Sequence, residues 1–416
     1  MKHRLVDCAL CALVALAFVV PVTVFGALPS ATAAQKEWTL LMYWDADNSL
    51  EFCTEFAMQT WEEALTSNSE VSIVALVDIL SAEGIWIYDI QDGERNLVTT
   101  WEEKNTSDPA VLKEFVQYGM DNFPAEKTML VVQDHGYGWR GICQDETNGD
   151  VLMPIDGLAA SLREVKAENG DKGVDLLAFD ACNMGTIEVA YELRGAASYM
   201  VASQTMVPFD GLPYEMFITD LMEDPSIGPA ALAENIVYEY VEYYSSKRGY
   251  HHIMKYSQDF ATIAAIDLSK MDDVGTTFGA MTSALEPLVE DHLMEIEKAR
   301  GYSLVGAWAN MAGYEWMPDA YTFVDGLRAI PDHPELIAAI DAFEDAFNTA
   351  VFAHANSKKY HDTVHGLNIW FPPSMSQYNS QGWIWARQFV YHESDLDLVS
   401  ESMWYECLLA YYGADW

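Results

Sequence analysis

The chain has 416 residues, half of them apolar and 12% aromatic, which is enough to bury a large core and excludes a disordered protein. Against 22 Lys and Arg stand 64 Asp and Glu, a net charge of −42, which excludes an ordinary nucleic-acid binder. Most of that charge reads as solvated surface, and the excess attracts basic polypeptides.

Residues 1–34 combine Lys2 and Arg4, an apolar stretch over 8–27 and the small-residue end Ala31-Thr32-Ala33-Ala34. This is the pattern of a secretory signal cleaved after Ala33 or Ala34, placing the mature chain outside the cell or in its envelope with no stable membrane insertion. The competing reading, an uncleaved anchor, is opposed by Pro21 and the A-x-A end. Cys8 precedes the apolar core, so it is not a lipidation site. Removal of Lys2, Arg4 and Asp7 takes the net charge to −43 and leaves Cys53, Cys143, Cys182 and Cys407. If one of these is catalytic, at most one disulfide can form among Cys53, Cys143 and Cys407. Beyond the signal, neither C-x-x-C nor H-E-x-x-H occurs, so no zinc site is indicated.

Apolar runs predict strands over 38–43, 71–77, 85–88, 129–132, 174–179, 199–202, 262–266 and 367–371. Between them, apolar residues three and four apart predict helices over 50–66, 111–119, 155–166, 184–193 and 230–244. Alternating strands and helices imply an α/β fold, a parallel-rich central sheet with helices on both faces. After residue 268 the pattern shifts to long helices over 274–299 and 334–355, a late strand ending at Pro372-Pro373, and a helix over 404–412. The division read from this is a signal over 1–34, a sheet domain over 35–268, and a mainly helical C-terminal region over 269–416 that contributes the late strand.

Two segments carry reactive side chains where apolar strands end: 131–141 (VVQDHGYGWRG) with His135, and 176–185 (LLAFDACNMG) with Cys182. In open α/β sheets the C-terminal strand edge is where sites lie. Cys182 is expected at a helix N-terminus, where free N–H groups lower a thiol pKa and supply amides for an oxyanion. A buried small hydrophobe is the usual alternative for a free cysteine. Cys143, in a loop over 141–149, is the weaker nucleophile.

Of ten histidines, His251, His252, His292, His333, His354, His361 and His392 are placed on helices or polar loops. His365-Gly366 precedes its strand, hence the opposite sheet end. His135 remains as the base; Gly136 lets the backbone approach a substrate and offers an N–H to an oxyanion. The glycines over 136–141 also match G-x-G-x-x-G, but loop rather than helix follows, which argues against a dinucleotide site.

Asp180 shares a face with Cys182. Its carboxylate is either paired structurally or faces a pocket that receives a cation. Asp210, in a turn-rich loop after the next strand, falls at the same sheet edge, where an Asp-Gly turn alone would also explain it.

Four blocks resemble the clostripain family of cysteine peptidases, within the caspase-like clan: 38–51 (WTLLMYWDADNSLE), 134–139 (DHGYGW), 179–184 (FDACNM), and 201–204 with 209–214 (VASQ, FDGLPY). A looser match at 366–372 extends the likeness to nearly the whole mature chain. The resemblance implies a caspase-like sandwich with a Cys-His dyad, His135 as base and Cys182 as nucleophile, acting through a thioester. It implies an oxyanion hole of the Gly136 and Cys182 N–H groups. Asp180 and Asp210 fall where similar enzymes place the acids of the S1 pocket, implying cleavage of basic polypeptides after Arg, with Lys as the second choice. Asp134 is expected on the other strand face, in a structural role.

Some relatives self-cleave after a basic residue between His and Cys. Here 142–162 contains no Lys or Arg, and the later candidates Arg163 and Lys166 fall in a predicted helix, with Lys172 beyond it. The chemistry requires no cofactor. Some relatives depend on calcium, and the segment 145–150 offers oxygen ligands, but it lacks EF-hand spacing and reads as a solvated acidic loop. The alternative function is an exported non-catalytic binding protein on the same fold.

Overall fold

A nine-stranded sheet organises the protein, seen in a computed structural model that describes residues 35–66, 70–245, 261–303, 317–356, 363–376 and 390–413. Its strands are β1 (Lys36–Ala46), β2 (Val71–Ile79), β3 (Ile85–Gln91), β4 (Glu94–Trp101), β5 (Ala125–Gln133), β8 (Val174–Asp180), β9 (Ala197–Ala202), β10 (Thr262–Asp267) and β11 (Val351–Asn356). The order across the sheet is β11-β10-β9-β8-β5-β1-β2-β3-β4, and β6 (Ile142–Asp145) and β7 (Val151–Met153) form a separate hairpin. The five central strands pair in parallel, whereas β3, β4, β10 and β11 add antiparallel edges.

Central strands are buried on both faces, as their unbroken apolar runs require. On β1, Leu41 and Tyr43 face one core while Trp38, Leu40, Met42 and Trp44 face the other. The first core is closed by α2 (Pro109–Asn122) and α3 (Ile155–Glu168), the second by α1 (Glu51–Ala64), α5 (Tyr214–Glu223) and α6 (Pro229–Ser245). Residues α4 (Ile187–Glu192), α7 (Met271–Leu285), α8 (Leu293–Ser303), α9 (Ala320–Gly326), α10 (Pro334–Ala350), α11 (Asp397–Glu401) and α12 (Trp404–Tyr412) complete the helices described. The C-terminal region packs into the first core, and residues 35–416 make up one compact unit. The predicted signal, 1–34, lies outside the described residues, as do His251, His252 and His361. Among the described residues no helix is long and apolar enough to cross a membrane.

Several expectations are corrected. The segment 367–371 joins no sheet: it is a buried strap whose Asn368 bridges Thr186 and Asp319. The sheet's late strand is instead β11, because α10 stops at Ala350 and the apolar run then extends, carrying His354 on a strand. The helix expected over 274–299 breaks into α7 and α8 around Pro287. β4 was missed because an edge strand exposing Leu97 and Val98 has no inward apolar alternation to find.

Trp404 ties the C-terminal helix to this core: its Nε1 donates to the Trp370 carbonyl at 2.9 Å, and its ring meets Phe278, Phe323 and Phe371 at 5.2 to 5.9 Å. Trp404→Ala is therefore expected to lower unfolding free energy by about 3–5 kcal/mol, measured by urea denaturation.

Candidate active site

Parallel pairing of β5 with β8 sets Gln133 opposite Asp180. His135 and Cys182 each lie two residues beyond that pair, so the two chains leave the sheet side by side with both reactive groups at its C-terminal edge. A Cβ at Gly136 would fall 2.2 Å from the Cys182 carbonyl oxygen and 3.0 Å from Ala181 Cβ and Met184 Sδ. Only glycine allows the His135 turn to press this closely on the Cys182 backbone. After it come a 3-10 turn, Gly138–Arg140, and then β6, not the helix a dinucleotide fingerprint needs.

The His135 ring is held by Ser49, whose Oγ lies 3.0 Å from Nε2. Ser49 follows the end of β1, the strand next to β5, in which Trp44 pairs with Gln133. Its neighbour Asn48 donates from Nδ2 to Asp134 Oδ1 at 2.7 Å and to the Gln144 carbonyl at 2.9 Å, and Gln144 N–H also donates to Asp134. Asp134 is thus buried in a structural network whose donors are Asn48 Nδ2 and the Gln144 and His135 N–H groups.

The Cys182 loop is pinned to the exit of β9: Asn183 N–H, at φ +60°, donates to the Thr205 carbonyl, and Gly185 N–H donates to Ser203. The helix expected to start here begins only at Ile187, capped by Thr186, so its dipole does not act on the thiol at close range. Instead, burial pushes the Cys182 thiol up to about 11, with the Asp180 and Asp134 charges adding, while the Val207 N–H, 3.4 Å from Sγ, pulls the other way. Burial also lowers the His135 pKa. Neutral thiol and neutral imidazole are therefore the resting forms at neutral pH.

Asp180 lies beneath the loop between β9 and α5. Its Oδ2 accepts from Tyr214 OH at 2.6 Å and from Leu212 N–H at 3.4 Å, and a Cβ on Gly211, at φ +72°, would meet that oxygen at 2.2 Å. Burial raises its pKa to about 6, opposed by the Tyr214 and Leu212 hydrogen bonds and reinforced by the charge of Asp210. Asp210 is 8% exposed and accepts from Tyr243 OH at 3.3 Å, while Tyr244 OH holds the Gly211 carbonyl at 2.6 Å. The charge of Asp210 thus acts on Asp180, and that of Asp180 on Cys182.

The other sequence candidates lie elsewhere. Cys143 is buried in β6, not in a loop, and burial pushes its thiol far up. All four cysteines described are free. His365 stands at the same edge as Cys182, contrary to expectation, because the Gly366 N–H donates to Gln204 just past β9; its Nδ1 is engaged by Thr322 and Asp319. Arg163 and Lys166 do lie on a helix, α3.

Asn48, Ser49 and Tyr214 stand inside the matching blocks 38–51 and 209–214 but are given no role there, and Tyr243, on α6, carries no sequence signal. Sequence reasoning also missed two acidic groups able to face a metal, one of Asp47, Asp78, Glu103 and Asp145, the other of Asp45, Asp134 and Cys143. Asp145 is fully buried, so the segment it opens is not simply a solvated loop.

Comparison with known proteins agrees with this fold. The model of the clostripain family matches residues 42–410. Clostripain of Hathewaya histolytica is 29% identical over 407 residues, covering 82% of this chain and 76% of its own. A secreted C11 cysteine protease from Bacteroides thetaiotaomicron, solved with an irreversible peptide inhibitor, superposes with a TM-score of 0.65 at 19% identity over 89% of this chain and 99% of its own. An inactive zymogen C11 protease from Parabacteroides distasonis gives 0.62 at 18% identity, over 88% and 98%. With the family model spanning nearly the whole sheet and its C-terminal region, the chain belongs to the clostripain family of cysteine peptidases.

Proposed function

We propose that this cysteine peptidase is exported and cleaves polypeptides after arginine, and less readily after lysine, with Cys182 as nucleophile and His135 as base. The observation that carries the reading is the register pair Gln133–Asp180, beyond which a histidine, a cysteine and a buried carboxylate converge. Export rests on the sequence pattern of residues 1–34 and fits a relative described as secreted.

In this mechanism His135 takes the thiol proton as Cys182 Sγ attacks the scissile carbonyl. The Gly136 and Cys182 N–H groups donate to the developing oxyanion; among the described residues neither donates elsewhere. The imidazolium then protonates the leaving amine, and water, deprotonated by the same ring, hydrolyses the thioester. Ser49 holds the ring meanwhile in one orientation.

Asp180 couples specificity to reactivity. Its charge is one of the effects holding the Cys182 thiol high. A guanidinium paired with Asp180 offsets that charge and favours the thiolate, so an arginyl substrate assists formation of its own nucleophile. A neutral P1 residue leaves the penalty in place.

Turnover of fluorogenic peptides by the chain from Gln35 onward tests the dyad: Cys182→Ala and His135→Ala should each cut kcat/KM for arginyl substrates roughly 10³-fold or more. Retained activity in Cys182→Ala would end the assignment. The pocket gives a second expectation. Asp180→Asn should lower arginyl kcat/KM by about 30- to 1000-fold while affecting alanyl substrates far less. Because the Asp180 carboxyl ionises near 6, KM for an arginyl peptide should rise as pH falls through that value in the wild type, and this limb should vanish in Asp180→Asn.

A further inference from the structure

We propose that Gln204, Asp319 and Asn368 are positioning residues for Cys182, a buried polar clamp through which the C-terminal region sets the loop that carries the thiol. The inference rests on the reading of Cys182 as nucleophile, and it assigns the placement of that loop to side chains outside the dyad.

The fold brings the three residues together at the exit of β9. Gln204 lies two residues past β9, between Ser203 and Thr205, whose carbonyls accept the Gly185 and Asn183 N–H groups at 2.8 Å each. A Cβ at Gly185 would fall 2.9 to 3.0 Å from the Ser203 and Gln204 backbone, so this approach leaves no room for a side chain. Asn368, in the buried strap, holds the end of the same loop. Its N–H donates to the Gly185 carbonyl at 2.9 Å, and its carbonyl accepts from the Ile187 N–H at 2.8 Å. Asp319 caps α9, where its Oδ1 accepts from the Thr322 N–H at 2.8 Å.

The three side chains then lock to one another. Gln204 Nε2 donates to Asp319 Oδ2 at 2.9 Å and to Asn368 Oδ1 at 2.7 Å, while Gln204 Oε1 accepts from the Gly366 N–H at 2.9 Å. Asn368 Nδ2 returns a bond to the Gln204 carbonyl at 2.8 Å, and the His365 N–H donates to Asp319 Oδ2 at 2.7 Å. All three residues are at most 2% exposed, and none of them carries an orphaned buried polar atom. Apolar side chains would fill this space as well; two amides on a carboxylate add directional bonds that are lost if the segments shift. Such a fully satisfied network specifies one arrangement of the segments it joins, 183–187, 203–205 and 365–369. Cys182 immediately precedes Asn183, whose φ of +60° and N–H bond belong to the clamped stretch, so the clamp fixes the direction in which the thiol leaves the backbone.

Asn368→Ala and Gln204→Ala leave the backbone bonds in place and remove the side-chain lock. In either variant, amide hydrogen exchange over residues 181–187 should quicken about tenfold while β8 stays as protected as in the wild type, a readout that needs no turnover. For arginyl peptides kcat should fall about 10- to 100-fold with KM within about twofold, because the thiol is misplaced while Asp180 and Asp210 are untouched. Where the alanine variants do not fold, the double variant Gln204→Met with Asn368→Leu fills the same space without the bonds; it should keep a Tm near that of the wild type and still lose kcat. Unchanged exchange over 181–187 overturns the clamp, and quickened exchange with unchanged kcat overturns its role in positioning Cys182. A wild type that hydrolyses no arginyl peptide overturns the peptidase reading itself and the positioning role with it, and is told apart from the other two results because the exchange difference persists.

Discussion

The register of two parallel strands governs where this protein's candidate catalytic groups stand. Gln133 faces Asp180 because β5 and β8 bury both faces and present matching apolar runs, Met129 to Val132 against Leu176 to Phe179. Side chains alternate along a strand, so a slip of one residue would exchange the two cores' side chains and carry His135 and Cys182 out of step. Gly136 tightens this further, since its turn sits against the Cys182 carbonyl with no room for a Cβ. The reactive groups are therefore placed by the sheet's hydrophobic packing, and the loops only finish the arrangement.

Much of this was legible from sequence. The strands that matter, β1, β2, β5, β8 and β9, are continuous apolar runs, and such runs survive tertiary context because both faces are buried. The His-Gly and Asp-x-Cys endings were visible for the same reason. Failures came where local pattern and packing disagree. The run 367–371 looks like a strand, yet its backbone groups pair with Gly185, Ile187, Pro318 and Ala320, loops and helix ends that only the folded chain assembles. The run after Cys182 looks like a longer helix than it is, because Asn183 adopts positive φ and the backbone of Asn183 and Gly185 is held by the β9 exit. Ser49 could not be foreseen as the partner of His135, since the contact joins residues 86 apart through the β1–β5 register.

The electrostatics depart from the sequence expectation in an informative way. A helix N-terminus would have lowered the thiol pKa; burial and two carboxylates raise it instead. The same acid excess that colours the surface also enters the interior, where Asp45, Asp47, Asp78, Asp134 and Asp145 sit buried at the ends of β1, β2, β5 and β6. Acids are clustered there although among the described residues no basic side chain pairs with them, and that clustering costs stability unless a cation or protons neutralise it. Positions that carry such a cost lie at functional edges more often than in the body of a fold.

On the proposed function, the distribution of charge around Cys182 would give selectivity a physical basis beyond simple pocket fit. If Asp180 served only to bind a guanidinium, its effect would fall mainly on KM, and a tightly bound substrate analogue would gain as much as the transition state. Asp180 lies two residues from Cys182, however, and its charge raises the thiol pKa, so neutralising it acts on the sulfur of the proposed nucleophile as well. On the proposed function, binding energy from the P1 side chain is then expressed in the bond-forming step, which would raise kcat for basic residues. On the proposed function such coupling has a further consequence: the partly buried thiol stays protonated, and therefore poorly nucleophilic, until a cationic side chain arrives.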